Sequence, residues 1–473
     1  MKSTEFHCII KNKNSYWRKL VAEKKKRMSP YSVLILSFLL IIIIGTTLLS
    51  LPVSSFPGKK LSMVDALFIA TSAVTVTGLV ITDINYTFTL FGKTVLIILV
   101  QLGGLGVMTF SSVIVLLLTR KIDYTAKKII QKDLNYNTLF NIQAYIKNLI
   151  KIVFLIEFIG AFCLFFVFIK KFSFLKAVYY AAFHSISAFC NTGFSLFPDS
   201  LSAYRTNVPV NLIIPLLITL GSLGFTTLNS IYISLFPKFR SDNKRMHFTL
   251  TARLSVIVSL ILIISGTVLT LLIEMSNPET LKNFVFHDKL LLSFFQSVSI
   301  RTAGFQTLNL IHMKNSTLIL YMILMFIGAS PGSTGGGIKT TTIAVITLGV
   351  FTTLSHRKNI EFHKREISWR IFNKAIALVF ISVMYIFFTV FILSYIEKEQ
   401  KFILLLFEVI SAFGTAGLSL DITPVLSSFS KILISLTMFL GRVGPLTVAM
   451  ALTMKRRKKG RYSYPVDKIQ IGC

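Results

Sequence analysis

The chain has 473 residues, 53% of them hydrophobic and only 15% charged, with a formal net charge of +31. Soluble domains carry about 25% charged residues, so a water-soluble globular protein is excluded. Nucleic-acid binding is excluded as well, because the basic residues fill the gaps between long apolar runs instead of forming one face. An all-α integral membrane protein is the expected class.

Residues 1–30 form a basic N-terminus that includes Lys24-Lys-Lys-Arg27. The run Tyr31–Leu51 exceeds the roughly 7–15 apolar residues of a signal peptide, and no small-residue cleavage site follows; it is read as the first span. Four repeats then occupy residues 31–120, 145–237, 251–351 and 368–455, and 456–473 form a C-terminal tail. Each repeat reads as a long apolar run, a short apolar segment, a glycine-containing turn and a second long run. In repeat one these are Tyr31–Leu51, Leu61–Val74, Thr75–Leu79 and Leu90–Thr119; in repeat two Ile152–Ile169, Phe174–Phe189, Cys190–Phe194 and Val208–Phe236. Repeat three gives Leu254–Ile273, Asp288–Ile300, Arg301–Phe305 and Leu318–Val350, and repeat four Ile371–Ile396, Phe402–Phe413, Gly414–Leu418 and Phe429–Met454. A segment of about 13 residues makes about 20 Å of helix and cannot cross a hydrocarbon core of about 30 Å. It must enter and return on one side, giving eight spans and four re-entrant segments.

Basic residues crowd alternate gaps: Arg120 to Lys132, Lys238 to Arg245, Arg357 to Arg370 and Lys455 to Arg461. By the positive-inside rule both termini and the three long basic connections are cytoplasmic. These charges fix topology and touch anionic membrane lipid. The four short segments then open outward. The four cysteines (Cys8, Cys163, Cys190, Cys473) show no disulfide or metal spacing.

The turns carry the chemistry. Each segment begins with Phe and ends with Gly ten residues later: Phe68 to Gly78, Phe183 to Gly193, Phe294 to Gly304 and Phe407 to Gly417. Aligned, they read Thr75-Val76-Thr77-Gly78, Cys190-Asn191-Thr192-Gly193, Arg301-Thr302-Ala303-Gly304 and Gly414-Thr415-Ala416-Gly417. A cation that sheds its water needs replacement oxygens, which backbone carbonyls supply when four strands face one axis. Glycine allows the required backbone angles without a side chain in the path, and a short helix ahead of each turn aims its negative end at the ion. A single such glycine commonly serves helix packing; four in register point to a pore lining. Arg301 is the odd member, and its side chain is expected to turn behind the turns and pair with protein.

Two further motifs interrupt the spans. Gly328-Ala-Ser-Pro-Gly-Ser-Thr-Gly-Gly-Gly-Ile-Lys339 cannot sustain a helix, since each Gly costs about 1 kcal/mol and Pro about 3. A phosphate loop is rejected, because that motif follows a strand and ends in Gly-Lys-Ser/Thr. A kink that serves packing alone remains a competing reading. Arg442 lies inside an apolar run, where an ionisable group is costly and faces the bundle interior. Both motifs are expected below the turns, with loop carbonyls or the Ser330, Ser333 and Thr334 hydroxyls satisfying the guanidinium. Glu157 also lies inside a span with no evident partner; pairing with a nearby Lys and a protonated state are both open.

These motifs resemble the Trk/Ktr/HKT superfamily of potassium transport proteins, most closely its bacterial KtrB/NtpJ branch, over Pro30 to Gly472. Phe189-Cys-Asn-Thr-Gly-Phe194 is similar to the family's Phe-Cys-Asn-Ala-Gly-Phe. The resemblance implies four covalently linked membrane–pore-loop–membrane repeats around one pore in the bacterial plasma membrane. It places the selectivity filter at the sixteen turn residues, with potassium at Gly78, Gly193, Gly304 and Gly417. All four being Gly points to potassium, because Ser at the first position goes with sodium in plant relatives. It further implies a gate at Gly328, Ser330, Gly332, Ser333, Thr334, Gly335, Gly336, Gly337 and Lys339, with Arg442 as a pore-facing arginine. The implied partners are a second copy, held in part by the tail Tyr464-Pro-Val-Asp-Lys-Ile-Gln-Ile-Gly472, and a cytosolic nucleotide-binding ring of the KtrA/TrkA type. No enzymatic activity and no organic cofactor on this chain are expected; K+ is the transported ion, with Na+ a candidate coupling or activating ion. The competing readings are a sodium-selective or weakly selective cation transporter of the same fold, a broken-helix solute carrier and a membrane scaffold without transport.

Overall fold

The computed structural model describes residues 30–106, 142–235, 249–445 and 447. The two termini, the C-terminal tail with Cys473, and the basic clusters at 24–27, 120–132, 238–245 and 455–461 lie outside the described residues. The described chain is built almost wholly of helices. The first quarter holds α1 (Pro30–Ser50), α2 (Met63–Val74) and α3 (Leu90–Gly104). The second holds α4 (Ile142–Phe168), α5 (Phe174–Phe189), α6 (Val208–Ser222) and α7 (Phe225–Leu235). The third holds α8 (Leu250–Glu274), α9 (Phe286–Ser299), α10 (Asn315–Ile327) and α11 (Thr340–Leu354), and the fourth α12 (Trp369–Ile396), α13 (Phe402–Gly414) and α14 (Ser428–Val443).

Helix starts follow local chemistry. Ser62, Thr89, Asn207, Thr249 and Ser427 each accept a backbone N–H with the side chain at the head of α2, α3, α6, α8 and α14. Such a cap satisfies a donor that the helix itself leaves unpaired. Among the described residues, Lys147–Phe168, Leu250–Glu274 and Trp369–Ile396 are long and apolar enough to cross a membrane, and the pair α6 and α7, bent by 105°, is a fourth when counted as one broken span.

Burial is inverted relative to a soluble protein. The outer helices expose large apolar side chains, such as Phe158 at 69% and Phe391 at 71%, while Ser72, Ser187, Ser299 and Ser411 on the short helices are fully buried. Apolar surface on this scale is stable only against lipid. Close packing of the layers depends on small residues. A Cβ on Gly45 of α1 would press on Leu99 of α3, and one on Gly160 of α4 on Ser185 of α5 and Leu217 of α6. On Gly266 of α8 it would overlap Ser297 of α9.

One element departs from the all-α expectation. Within the basic connection 357–370, β1 (Ile360–Phe362) pairs antiparallel with β2 (Arg365–Ile367), Ile360 opposite Ile367. His363 and Lys364 turn the hairpin with φ of 47° and 60°, as a two-residue loop requires. Ile360 and Ile367 are buried in a cluster with Leu254, Val345 and Ala375. Two apolar residues on one face of a short ribbon thus pack against α8, α11 and α12, while the charged residues stay exposed.

Candidate ion pathway

The four aligned turns share left-handed backbone angles at two positions. Val76, Asn191, Thr302 and Thr415, each two residues before the glycine, have φ of 57°, 60°, 80° and 50°. Gly78, Gly193, Gly304 and Gly417 have φ of 92°, 78°, 75° and 75°. Alternating left-handed and ordinary residues turn successive carbonyls away from the strand geometry of a sheet.

The turns also meet one another in a closed cycle. A Cβ on Gly78 would overlap the Thr192 carbonyl, one on Gly193 the Ala303 carbonyl, and one on Gly417 the Thr77 carbonyl. On Gly304 it would come within 2.9 Å of the Ala416 oxygen. Repeat one therefore abuts two, two abuts three, three abuts four, and four returns to one. No side chain larger than hydrogen fits at any of the four positions.

Above the ring lies an open cavity of about 930 Å3 whose lining includes all four glycines. Asp83, Asp199, Glu279 and Asp421 also line it, against the single basic residue Arg205. Its balance of charge attracts cations.

Below the ring lies the interval from Gly328 to Lys339, between α10 and α11. It is bonded directly to the second and fourth quarters of the molecule, and Arg442 links it to the first. Ser330 N donates to Ser222 O at 3.0 Å, and Thr334 N to Gly221 O at 3.3 Å. Gly337 N donates to Gly441 O at 3.3 Å, and Gly336 N to the Thr415 hydroxyl at 2.8 Å. Arg442 donates to the Thr334 carbonyl and, at 2.5 Å, to the Gly103 carbonyl at the end of α3. Lys339 Nζ donates to Gly335 O at 2.6 Å. Of the hydroxyls, Ser330 pairs with Thr340 at 3.1 Å, Ser333 donates to Ser330 O at 2.6 Å, and Thr334 donates to Phe189 O at 3.3 Å. A Cβ on Gly335 would overlap Thr302 Oγ1, so the loop rests directly against the underside of the turns. Gly332, with φ of 65°, has nothing within reach of a Cβ, while its carbonyl accepts from Phe225 N at 2.8 Å.

A family model described as TrkH, cation transport protein, matches residues 3–460. The chain belongs to this family. It is 39% identical over 436 residues to the Ktr system potassium uptake protein B of Bacillus subtilis, covering 92% of this chain and 96% of that one. It is 34% identical over 452 residues to the potassium/sodium uptake protein NtpJ of Enterococcus hirae, covering 95% and 98%. The crystal structure of the potassium transporter TrkH from Vibrio parahaemolyticus shares the fold, with a TM-score of 0.69 and 18% identity over 91% of this chain and 86% of that one.

Within this TrkH-family fold, two ionisable side chains sit behind the turns. Arg301, 2% exposed, donates from both terminal nitrogens to Ser259 of α8, at 3.3 Å to its carbonyl and 3.0 Å to its hydroxyl. Its guanidinium is thus held by the helix outside α9. Glu157 of α4 accepts from Gln101 Nε2 of α3 at 3.0 and 3.2 Å, and the Cys190 thiol approaches it at 3.9 Å. Its partner is an amide from the neighbouring quarter, not a lysine. Sequence inspection does not pair them, because 56 residues and a repeat boundary separate them.

Two other features escape a reading of the sequence. The second long run breaks in every repeat, not only the third: α3, α6, α10 and α14 are followed by Gly106, Gly224, Gly328 and Gly444, with φ of 78°, 91°, 66° and 89°. The pattern Gly-x-x-Gly at 103–106, 221–224 and 441–444 is the signal that marks the other three. Its first glycine lets the helix approach the end of the short helix: a Cβ on Gly103, Gly221 or Gly441 would overlap the carbonyl of Val74, Phe189 or Phe413. The third turn is also one residue tighter. Thr77, Thr192 and Ala416 N–H groups reach back five residues to Ser72, Ser187 and Ser411 carbonyls, whereas Ala303 reaches back four to Ser299. The structural equivalent of Phe68, Phe183 and Phe407 is therefore Phe295, not Phe294.

Proposed function

We propose that this chain is the ion-translocating subunit of a potassium uptake system, in which four pore-loop repeats surround one path. The closed cycle of glycines against neighbouring carbonyls carries this reading. It brings the four glycines against the carbonyls of Thr77, Thr192, Ala303 and Ala416, which supports a filter of backbone oxygens that replace the water of a bare cation. The acidic cavity above gathers cations, and the C-terminal ends of α2, α5, α9 and α13 favour positive charge at the ring. Potassium is the preferred ion on two grounds: all four positions are glycine, and relatives at 34–39% identity over nearly the whole chain are named for potassium uptake. Sodium is a second ion for this path, because the relative from Enterococcus hirae is named for both. A broken-helix solute carrier fits less well, since the four turns repeat in one sense around a ring.

Conduction is gated below the ring. The segment from Gly328 to Lys339 obstructs the path, and Arg442 and Lys339 add positive charge to the obstruction. Their hydrogen bonds to loop carbonyls hold the segment in place. Glycines on either side let it swing aside. Control comes from outside this chain: a cytosolic nucleotide-binding ring docks on the basic inner face of a homodimer. The protein works in the bacterial plasma membrane with both termini in the cytoplasm.

Uptake of K+ and Na+ into proteoliposomes tests the filter. Gly78→Ser and Gly193→Ser each place atoms on a neighbouring carbonyl, and each is expected to lower the K+/Na+ ratio. An unchanged ratio in both variants overturns the filter assignment.

A further inference from the structure

Each short helix carries one residue three positions before its buried serine: Ile69 in α2, His184 in α5, Gln296 in α9 and Glu408 in α13. All four are fully buried. In repeats two, three and four the residue is polar, and in each it reaches across to the strand that leaves the ring. His184 Nε2 lies 3.1 Å from the Ser195 hydroxyl, and Leu196 N donates to it at 3.4 Å. Its other nitrogen, Nδ1, is 2.7 Å from Tyr180 O, and its ring stacks on Phe197 at 4.7 Å. With the amide oriented to satisfy both its ends, the Gln296 oxygen accepts from Leu308 N at 3.1 Å and Thr307 N at 3.2 Å. Glu408 accepts from the Ser419 hydroxyl at 2.8 Å and from the Thr423 hydroxyl, whose oxygen lies 2.9 Å from that of Ser419.

These side chains differ in chemistry yet make the same bridge, from the body of the short helix to the first residues beyond the glycine. The bridged residues, Ser195, Thr307, Leu308, Ser419 and Thr423, begin two to six positions after the glycines. Buried polar groups are costly unless satisfied, so packing alone would favour an apolar residue there, as repeat one has. A strand held by hydrogen bonds on both sides of a carbonyl ring resists the change of ring size that a smaller ion would demand.

We propose that His184, Gln296 and Glu408 are positioning residues that strap the outer end of the filter and set its preference between potassium and smaller cations. The proposal rests on the filter reading above. Repeat one, with Ile69, has no polar side chain at this position, so the ring is strapped on three sides and its fourth strand is the more compliant one.

The test is the K+/Na+ uptake ratio in proteoliposomes for Glu408→Ala, Glu408→Gln, Ser419→Ala, the double Glu408→Ala/Ser419→Ala, and Gln296→Leu, with Gly78→Ser alongside. Loss of the two hydrogen bonds to Ser419 and Thr423 predicts a fall of about tenfold or more in the ratio for Glu408→Ala. Glu408→Gln keeps an acceptor for Ser419 and should retain most of the preference. The double variant should be no worse than Glu408→Ala, because both remove one bridge. Gln296→Leu keeps the bulk and should lower the ratio as well. A merely structural role would lower the yield of folded protein and leave the ratio of what remains untouched. If Glu408→Ala does not fold, Ser419→Ala and Gln296→Leu decide alone. Unchanged ratios in the folded variants, with Gly78→Ser shifted, overturn the straps and leave the filter standing. Unchanged ratios in all, Gly78→Ser included, overturn the filter reading and the straps with it.

Discussion

The ring of turns and the layer beneath it are a few ångströms apart and obey opposite rules. In the ring, four stretches of different sequence carry the same two left-handed residues, even though the third is one residue tighter, and each glycine meets the carbonyl of the next. Beneath it the symmetry is broken: one quarter sends in the segment from Gly328 to Lys339, another sends in Arg442, and the first offers the Gly103 carbonyl. Coordination of an ion needs equivalent oxygens on all sides, so deviation in any quarter spoils it. Obstruction needs only one element that can move, and four copies would have to move together.

The largest effect is expected from disturbing the symmetric layer. Gly417→Ala adds a Cβ onto the Thr77 carbonyl at a residue with φ of 75°. Backbone strain of about 1–3 kcal/mol, added to a displaced oxygen, predicts a loss of K+ over Na+ preference on the order of a hundredfold. Uptake of the two ions in growth rescue of a K+-requiring bacterium checks it. Equal preference in parent and variant would mean that Gly417 does not border the path.

Arg442→Ala acts on the asymmetric layer and should change rate without changing preference. It removes a positive charge, and with it the donors to Thr334 and Gly103, at a place where charge effects exceed those in bulk water several-fold. Flux should rise about tenfold. Deleting Ser333 should act in the same direction by shortening the obstruction. Both measurements need the amount of folded protein in the membrane as a reference. Folded variants that conduct no faster than the parent would place the gate elsewhere.

Thr415 touches both layers and so separates them. Its backbone belongs to the ring, while its hydroxyl accepts the Gly336 N–H at 2.8 Å. Thr415→Val keeps the β-branched shape at a φ of 50° and removes only the acceptor. A lost hydrogen bond of about 1 kcal/mol predicts a loop that opens about fivefold more often, with the K+/Na+ ratio retained. A change of preference with no change of rate would contradict the division of labour between the layers.

The two layers were also unequally legible in the sequence. The turns could be aligned because the constraint on each is local: a glycine is needed where φ is positive and a carbonyl crowds in, four times over. The Gly-rich interruption was legible for a similar reason, since six helix-breaking residues in a row of twelve cannot be helix. Gly106, Gly224 and Gly444 were not, because a single glycine in an apolar run serves helix packing equally well. The tighter third turn was hidden by Phe294 and Phe295, either of which satisfies the pattern. Gln101 with Glu157, and Ser259 with Arg301, depend on which helix stands behind which turn, and no local pattern encodes that. The hairpin from Ile360 to Ile367 was masked by the charges around it.

The smallest effect tests how the frame holds the ring from outside. Glu274 and Glu397 follow or end the first long helices of repeats three and four, and they cap α10 and α14, beyond the short helix of each repeat. Glu274 accepts from Lys314 N at 2.9 Å and from the Thr317 hydroxyl; Glu397 accepts from Ser427 N at 2.9 Å and the Ser430 hydroxyl at 2.6 Å. Burial alone would raise the pKa of Glu397 above the ordinary 4.5, but the hydrogen bonds from Ser430 and Ser427 outweigh it and the net shift is downward. A carboxyl whose folded-state pKa is depressed contributes stability that is fully present above its unfolded value. That contribution fades as pH falls below about 4.5 and through the folded-state value. Thermal unfolding in detergent should therefore show the parent losing about 1–2 °C more than Glu397→Gln between pH 7 and pH 3. The amide keeps one acceptor for the Ser427 N–H and does not titrate, so its curve omits this component. Parallel losses in parent and variant would show that the cap is not coupled to folding, and that the outer end of α14 is positioned by its packing on α2 and α13 instead.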